Sequence, residues 1–211
     1  MSSSNTQSVK KEGYHHGDLR QALVKAARAS LQEGGTGTLS LREVARRAGV
    51  SHASAYYHFK DKTALLAAVA VSAFGDLAAA TEDAYNREGM SALERLEALA
   101  QAYVCFAVAH PQEFRLMFLP ELRSDTVRTE VEQAGRVGYM RTVALIEVLQ
   151  AKGCVAQGNP EEAAISAWAS MHGLATLMID GPLYRNARTE ADRRALVERA
   201  TQHLFYGVLE R

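Results

Sequence analysis

The chain has 211 residues, 47% of them hydrophobic, and its 24 basic residues balance 24 acidic ones. This length and composition allow a substantial core in one or two domains. No uninterrupted apolar stretch of about 20 residues is present and the N-terminus lacks the apolar centre of a secretory signal, so we expect no membrane segment. Two cysteines, Cys105 and Cys154, are too few for a disulfide framework. Both lie in an apolar helical context, which predicts reduced, buried thiols and a cytoplasmic protein.

The zero net charge conceals an uneven distribution. Up to Lys62 the chain carries ten Lys and Arg against five Asp and Glu, a charge of +5 that the remaining residues offset with −5. A basic N-terminal part on an acidic remainder suits a protein that places one end on a polyanion. Ordinary variation in surface charge gives the same asymmetry. Charge alone therefore does not decide between binding to a polyanion and ordinary surface variation.

The first 38 residues predict a polar arm followed by a helix. Residues 1–17 are polar and aperiodic, which is typical of a flexible arm. Lys10 and Lys11 within it either follow a DNA groove or belong to a solvated tail. From Asp18 onward apolar residues recur at helical spacing, and the glycine pair at 34–35 suits a left-handed helix end.

The next segment predicts two short helices around a tight turn. Ser40 and Glu43 have the S-x-x-E spacing of a capping box, and Gly49 supplies a permissive turn residue. Ser51 is a second N-cap candidate, and residues 52–59 after it are polar and aromatic. A helix this short and polar suits presentation to a partner better than burial in a core.

The remainder of the chain predicts further helices and no strand. A long helix is expected from Asp125 to Lys152, and His110-Pro111 breaks an earlier one. The fold class is therefore all-α, with an N-terminal three-helix domain followed by a six-helix domain. The helix starts in the second domain are marked by Asp61, Ser91 with Glu94, Asn159 with Pro160, and Thr189 with Asp192.

The segment Leu39–Leu66 resembles the helix-turn-helix of the TetR family of bacterial transcriptional regulators. The matching runs are LSLREVA from Leu39, AGVS from Ala48, AYYHFKDK from Ala55 and ALL from Ala64, in order and without a gap. The resemblance implies a DNA-binding domain over residues 18–64 and an effector-binding and dimerisation domain over residues 65–211. The run WASMHG from Trp168 also resembles a W…HG signature of one TetR C-terminal subfamily.

The resemblance also implies which residues contact DNA. Residues 51–59 would form the recognition helix, whose N-terminal residues approach base edges in the major groove. Ala55 and Phe59 are expected in the core, and Ser40 either caps its own helix or also meets a phosphate. The predicted DNA contacts are Ser40, Arg42, Ser51, His52, Ala53, Tyr56, Tyr57, His58 and Lys62.

Two copies of the chain are expected on DNA, because one recognition helix covers only a few base pairs and a palindromic operator calls for a two-fold protein. In the family, the last two helices form the homodimer interface, which implies residues 168–179 and 196–209 here. The apolar stripe on the last helix contains Val197, Ala200, Leu204 and Val208. Packing inside one subunit would explain the same stripe.

Family members enclose a pocket for a small effector, and the apolar residues that could line it here point to a largely apolar ligand. Ordinary core packing explains each of these residues equally well. His172 could hydrogen-bond an effector, ligate a metal or haem iron, or serve the structure alone. No Cys and His pairs have metal-binding spacing, so we predict no metal and no cofactor. The candidate pocket residues are Tyr103, Phe106, Phe114, Met117, Tyr139, Met140, Val143, Trp168, Met171 and His172.

These observations predict a ligand-responsive, dimeric DNA-binding repressor. The alternative is a DNA-binding protein of the same fold that has no small-molecule effector and acts through protein partners. An all-helical enzyme is the third class considered, but the sequence contains no G-x-S-x-G, H-E-x-x-H or P-loop motif, so we predict that the protein is not an enzyme.

Overall fold

The computed structural model describes residues 16–185 and 189–209, which form nine α-helices and no strand. Short 3-10 turns at Pro120–Arg123 and Pro182–Arg185 join some of the helices. The expected arm with Lys10 and Lys11 lies outside the described residues. In chain order the helices are α1 His16–Thr38, α2 Leu41–Arg47, α3 His52–His58, α4 Lys62–Asn86, α5 Ala92–Ala109, α6 Pro111–Met117, α7 Arg128–Ala151, α8 Pro160–Ile179 and α9 Glu190–Leu209.

Side chains cap most of these helices where the sequence predicts. Ser51 Oγ accepts a hydrogen bond from the Ser54 amide at 3.1 Å, and Asp61 Oδ1 accepts one from the Ala64 amide at 2.8 Å. Ser91 and Glu94 bond reciprocally, which makes the predicted capping box of α5. Each cap satisfies amides that have no partner within the helix. The predicted starts of α3, α4 and α5 are confirmed.

The capping box expected at the start of α2 is only half formed. Ser40 Oγ accepts from the Glu43 amide at 3.2 Å, as an N-cap should. The Glu43 carboxylate instead takes two hydrogen bonds from the Arg46 guanidinium, at 2.6 and 2.8 Å. A charge-assisted bidentate pair is stronger than a bond to one backbone amide, so the carboxylate turns away from Ser40.

Two other expectations differ from the structure. Gly35 does adopt the left-handed conformation, with φ of 68°, but helical residues continue beyond it to Thr38, so α1 is kinked there rather than ended. Cys154 is exposed rather than buried, because α7 ends before it and Gly153, with φ of 70°, turns the chain outward. Cys105 is partly buried, and both thiols are free.

Helices α1 to α3 form the three-helix head around a small core. Leu23 and Leu31 of α1, Val44 of α2 and Phe59 after α3 are almost completely buried in it. The same core continues along α4 through Leu65 and its neighbours. We call α1–α3 the head and α4–α9 the body. The expected domain boundary at residue 64 falls in the first turn of α4 and remains a prediction.

Helix α4 is the central helix of the body. It packs against α5, α6 and α7, and at Gly135 of α7 an added Cβ atom would lie 3.2 Å from the Phe74 ring. Among the described helices, α4 alone is long and apolar enough to cross a membrane. Half of its most apolar stretch is buried in the fold, as in the core helix of a globular protein.

Candidate DNA interface and ligand cavity

Helix α3 presents most of its side chains to the outside. Ala55 is the residue of α3 that is buried against the head, whereas His52 and Ala53 are exposed. Tyr56 is 48% exposed and Tyr57 is 78% exposed, which is unusual for large aromatic side chains. Ala55 and Phe59 are in the core as predicted, so the remaining face of α3 is available to a partner.

The other predicted DNA contacts lie around this face. Ser40 and Ser51 are exposed N-caps of α2 and α3, and Arg42 is exposed on α2. His58 is half-buried at the end of α3. Lys62 begins α4, and its Nζ donates a hydrogen bond to the Thr36 carbonyl at 2.7 Å. That bond holds the Lys62 ammonium beside the turn between α1 and α2.

Two arginines of α2 are neutralised by carboxylates within the head. Arg46 pairs with Glu43, and Arg47 makes a bidentate pair with Glu33 of α1 at 2.6 and 2.7 Å. Hydrogen bonds from these arginines lower the pKa of both Glu33 and Glu43. Arg46 and Arg47 are therefore already paired within the head and are not among the predicted base contacts.

The body contains a partly open cavity of about 770 Å³ lined by α4, α5, α6, α7, α8 and α9. This volume falls in the range of pockets for drug-sized ligands. Leu77, Leu96, Leu99 and Val131 are among its buried apolar walls. Five of the predicted pocket residues line it, and these are Tyr103, Met117, Tyr139, Trp168 and Met171.

The other five predicted pocket residues lie outside the lining of this cavity. Phe106 and Phe114 are buried in neighbouring core clusters, and Val143 is buried on α7. Met140 is 37% exposed, and His172 lies behind the wall against Phe114 and Phe118. Helical periodicity identifies a buried side chain but not which neighbouring helix it packs against.

Trp168, Tyr103 and His172 form one hydrogen-bonded chain, which we call the Tyr103 triad. Trp168 Nε1 donates to the Tyr103 hydroxyl at 3.2 Å, and that hydroxyl lies 2.9 Å from His172 Nδ1. The hydroxyl can donate to Nδ1 when His172 is neutral with its proton on Nε2. Burial lowers the pKa of His172, which favours this neutral form. Burial also raises the pKa of Tyr103, although the bond from Trp168 opposes that rise.

Tyr103→Phe should lower the free energy of unfolding by about 1–2 kcal/mol, because it removes one partner from each of two polar groups. Chemical denaturation followed by circular dichroism measures the change. Tyr139→Phe is the control, since its hydroxyl makes a single hydrogen bond, 3.2 Å from the Glu161 carbonyl. We expect a smaller loss there, and equal losses in the two variants would contradict a structural role for the triad.

A buried ion-pair network joins the head to the body. Glu113 of α6 is 1% exposed, and its two oxygens accept from Arg28 Nε at 2.8 Å and Nη2 at 2.9 Å. Arg28 of α1 also reaches Ser72 Oγ at 3.1 Å and Asp76 at 2.6 Å, both on α4. These acids raise the pKa of the guanidinium, with the Glu113 bond as the largest cause. Helix α6 also carries Met117 at the cavity wall, so one short helix touches both the head and the cavity.

The outer face of α8 carries a row of small and apolar residues. Ile165 is 52% exposed and Leu177 is 46% exposed, with Ala169 and Gly173 also exposed between them at four-residue spacing. On α9, Val197 is completely buried in its own subunit against Val104 and Ala175. Val197 therefore belongs to the intramolecular core. Ala200 is partly buried beside it, and the side chains of Leu204 and Val208 lie outside those described.

No group of three or more His, Cys, Asp and Glu side chains within the described residues is placed to hold a metal ion.

The sequence did not predict the charged residues that line the cavity. Arginines on a helix surface give no signal of their own, because solvated arginines have the same spacing. The missed charged residues are Arg123, Arg128, Glu132 and Arg136.

An exposed, capped helix after a tight turn, on a helical body with a cavity, is the arrangement of a helix-turn-helix DNA-binding protein. The family model for bacterial regulatory proteins of the tetR family matches residues 23–69. The model for the tetracyclin repressor-like C-terminal domain matches residues 96–204. The chain belongs to the TetR family of transcriptional regulators, whose members are DNA-binding proteins rather than enzymes. The resemblance to the W…HG subfamily remains a prediction.

The chain is also similar to individual proteins. Over 95 residues the chain is 39% identical to the HTH-type transcriptional regulator BetI of Rhizobium meliloti (strain 1021), a match that covers 43% of this chain and about half, 47%, of that protein. A solved protein of unknown function from Rhodococcus sp. RHA1 is 37% identical, with a TM-score of 0.80 over 94% of this chain and 100% of its own. The fatty acid degradation regulator FadR from Bacillus halodurans shares the fold at 19% identity, with a TM-score of 0.70 over 94% and 98% of the two chains.

Proposed function

We propose that this protein is a homodimeric repressor that binds a palindromic operator and changes its affinity when a small, largely apolar effector occupies the cavity of the body. The observation that carries the proposal is the double contact of α6. Its Glu113 holds Arg28 of the head, and its Met117 lines the cavity. An effector that shifts α6 would therefore shift the head, to the extent that it binds the two arrangements with different affinity.

The proposed DNA contacts follow the exposed face of the head. Arg42, Ser51, His52 and Ala53 would meet base edges in the major groove. Tyr56, Tyr57, His58 and Lys62 would contact the backbone, and Ser40 would add a contact to its role as a cap. Support comes from the exposure of α3 and from Lys62, whose ammonium is already positioned by the Thr36 carbonyl. We place this activity in the cytoplasm.

The outer row of α8 supports the proposed dimer. Gly173 lies inside α8, where glycine costs roughly 0.5–1 kcal/mol relative to alanine. A Cβ atom on Gly173 would meet nothing within 4 Å in its own subunit. Glycine there suits the close approach of another helix, such as α8 of a second copy. We propose that this row, with α9 beside it, forms the interface.

The proposal is tested by selecting bound fragments from random DNA and then screening compounds for release. We expect an enriched palindrome and at least one compound class that lowers DNA binding. Recovery of fragments without a palindrome would contradict the dimeric operator, and release by no compound would favour the alternative without an effector.

His52→Ala and Lys62→Ala should weaken DNA binding in different ways. His52→Ala should cost about 1–3 kcal/mol on the selected operator and little on random DNA, because a base contact is lost. Lys62→Ala should weaken binding to both DNAs. It should also reduce the slope of log affinity against log salt concentration by about one, because one phosphate contact is lost. Lys60→Ala, an exposed lysine two residues away, is the matched control. Equal losses from His52→Ala on both DNAs would remove His52 from the base-reading set.

A further inference from the structure

The polar groups that line the cavity differ in whether they still need a partner. Among the described residues, Thr81 donates to helical carbonyls and accepts from Arg141, while Thr142 and Thr201 bond the carbonyls of their own helices. Tyr139 bonds the Glu161 carbonyl, and Tyr103 is engaged in its triad. These groups are satisfied by protein partners, so an uncharged ligand gains little from them.

The charged lining residues behave differently. Three arginines and one glutamate line the cavity, all exposed and all between Arg123 and Arg136. Arg128 has carboxylates nearby, 3.5 Å away on Asp125 and 3.9 Å away on Glu132. The side chains of Arg123 and Arg136 make no ion pair within 4.0 Å and no hydrogen bond with any described residue. Within the part of the chain that the structure describes, these two guanidinium groups at the cavity lining therefore have no anionic partner.

The positive charge is confined to one side of the cavity. Arg128, Glu132 and Arg136 follow one another at four-residue spacing along one face of α7, a length of roughly 12 Å at 1.5 Å per residue. Arg123 precedes them in the turn before α7. The walls on α4 and α5 contribute Leu77, Leu96 and other apolar groups instead. The lining is thus amphipathic, with an apolar interior and an excess of arginine at one side.

We propose that the cavity binds an amphipathic organic anion, whose apolar body fills the interior and whose carboxylate or equivalent acid pairs with one of the two arginines, Arg123 or Arg136. Guanidinium and carboxylate geometries match, and a charge-assisted pair is the strongest hydrogen bond available in this lining. A neutral apolar ligand leaves both arginines without a partner, and a cation is repelled by them. This inference rests on the proposed function, because it names the class of the effector.

The chain contains its own probe for the test. Trp168 is the single tryptophan and it lines the cavity, so its fluorescence reports occupancy. The full chain is titrated with decanoate, decan-1-ol and decyltrimethylammonium, which share one apolar chain and differ in the head group. We expect decanoate to bind at least about tenfold more tightly than the alcohol, and the ammonium to bind most weakly. Affinity should also rise about fourfold for each methylene added from octanoate to dodecanoate.

Two variants test whether the arginines cause the preference for decanoate over decan-1-ol. The double variant Arg123→Gln, Arg136→Gln removes both charges from exposed positions and should bring decanoate to within about threefold of the alcohol. Arg87→Gln, an exposed arginine in the turn after α4, should keep the wild-type preference. Equal binding of decanoate and decanol by the wild type, binding of neither, or an unchanged preference in the double variant overturns the inference.

DNA release is measured separately on the same samples. If decanol and decanoate bind equally and both release DNA, the anion inference fails while the ligand-responsive regulator stands. If decanoate binds through the arginines but DNA binding does not change, the site stands and the effector part of the proposed function fails.

Discussion

Glu113→Ala should lower the free energy of unfolding by about 3 kcal/mol, because it leaves the partly buried Arg28 without its main partner. Removing one member of a buried ion pair typically costs 3–5 kcal/mol. The lower end is expected here, since Asp76 still pairs with Arg28 at 2.6 Å and the arginine side chain is 24% exposed. Urea denaturation monitored by circular dichroism measures the loss.

Glu130→Ala is the matched control, because Glu130 also joins α1 to the body through an arginine. Its pair with Arg20 is 3.8 Å long and both side chains are about half exposed, so the loss should stay below about 1 kcal/mol. Glu113→Gln keeps the shape of the side chain and one acceptor oxygen. Its loss of unfolding free energy should therefore fall between those of Glu113→Ala and Glu130→Ala. A Glu113→Ala loss no larger than that of Glu130→Ala would show that the Arg28 network does not hold the head on the body.

Gly173→Arg should reduce affinity for a palindromic operator by at least about a hundredfold, because two linked heads bind far more tightly than one. The arginine has open space around it in its own subunit but would stand in the proposed interface. Analytical ultracentrifugation should then show a monomer at micromolar concentration with an unchanged circular dichroism spectrum.

Gly75→Arg provides the comparison. Gly75 is another exposed helical glycine with nothing within 4 Å of an added Cβ, but it lies on α4 rather than on the outer row of α8. That variant should remain dimeric and bind DNA. A dimeric Gly173→Arg protein would place the interface elsewhere, and a monomeric wild type would contradict the dimer altogether.

The sequence predicts the structural features that depend on residues close together in the chain. The caps at Ser51, Asp61 and Ser91 need only the next three residues, so their local spacing was sufficient. The short α3 and its exposed aromatics followed from the same kind of signal. The helix-turn-helix class of the head could therefore be predicted without knowledge of any tertiary contact.

Features that depend on distant residues were not predictable in this way. Arg28 and Glu113 are 85 positions apart, and neither residue type alone indicates a buried pair. Phe114 and Met117 share one short helix, yet one packs away from the cavity and the other lines it, which only the arrangement of neighbouring helices decides. Arg123 and Arg136 are exposed, so their sequence context is that of any solvated arginine.

Under the proposed function, the shortness of α6 limits how inducibility can evolve. Glu113 and Met117 are one turn apart, so a mutation that reshapes the ligand pocket from α6 also disturbs the hold on Arg28. We expect such mutants to be either permanently bound to DNA or permanently released. Wall residues of α8, such as the buried Met171, belong to a helix that packs against α5 and α7 instead. New effector preferences selected in the laboratory should therefore accumulate on α8, where recognition can change while the response is retained.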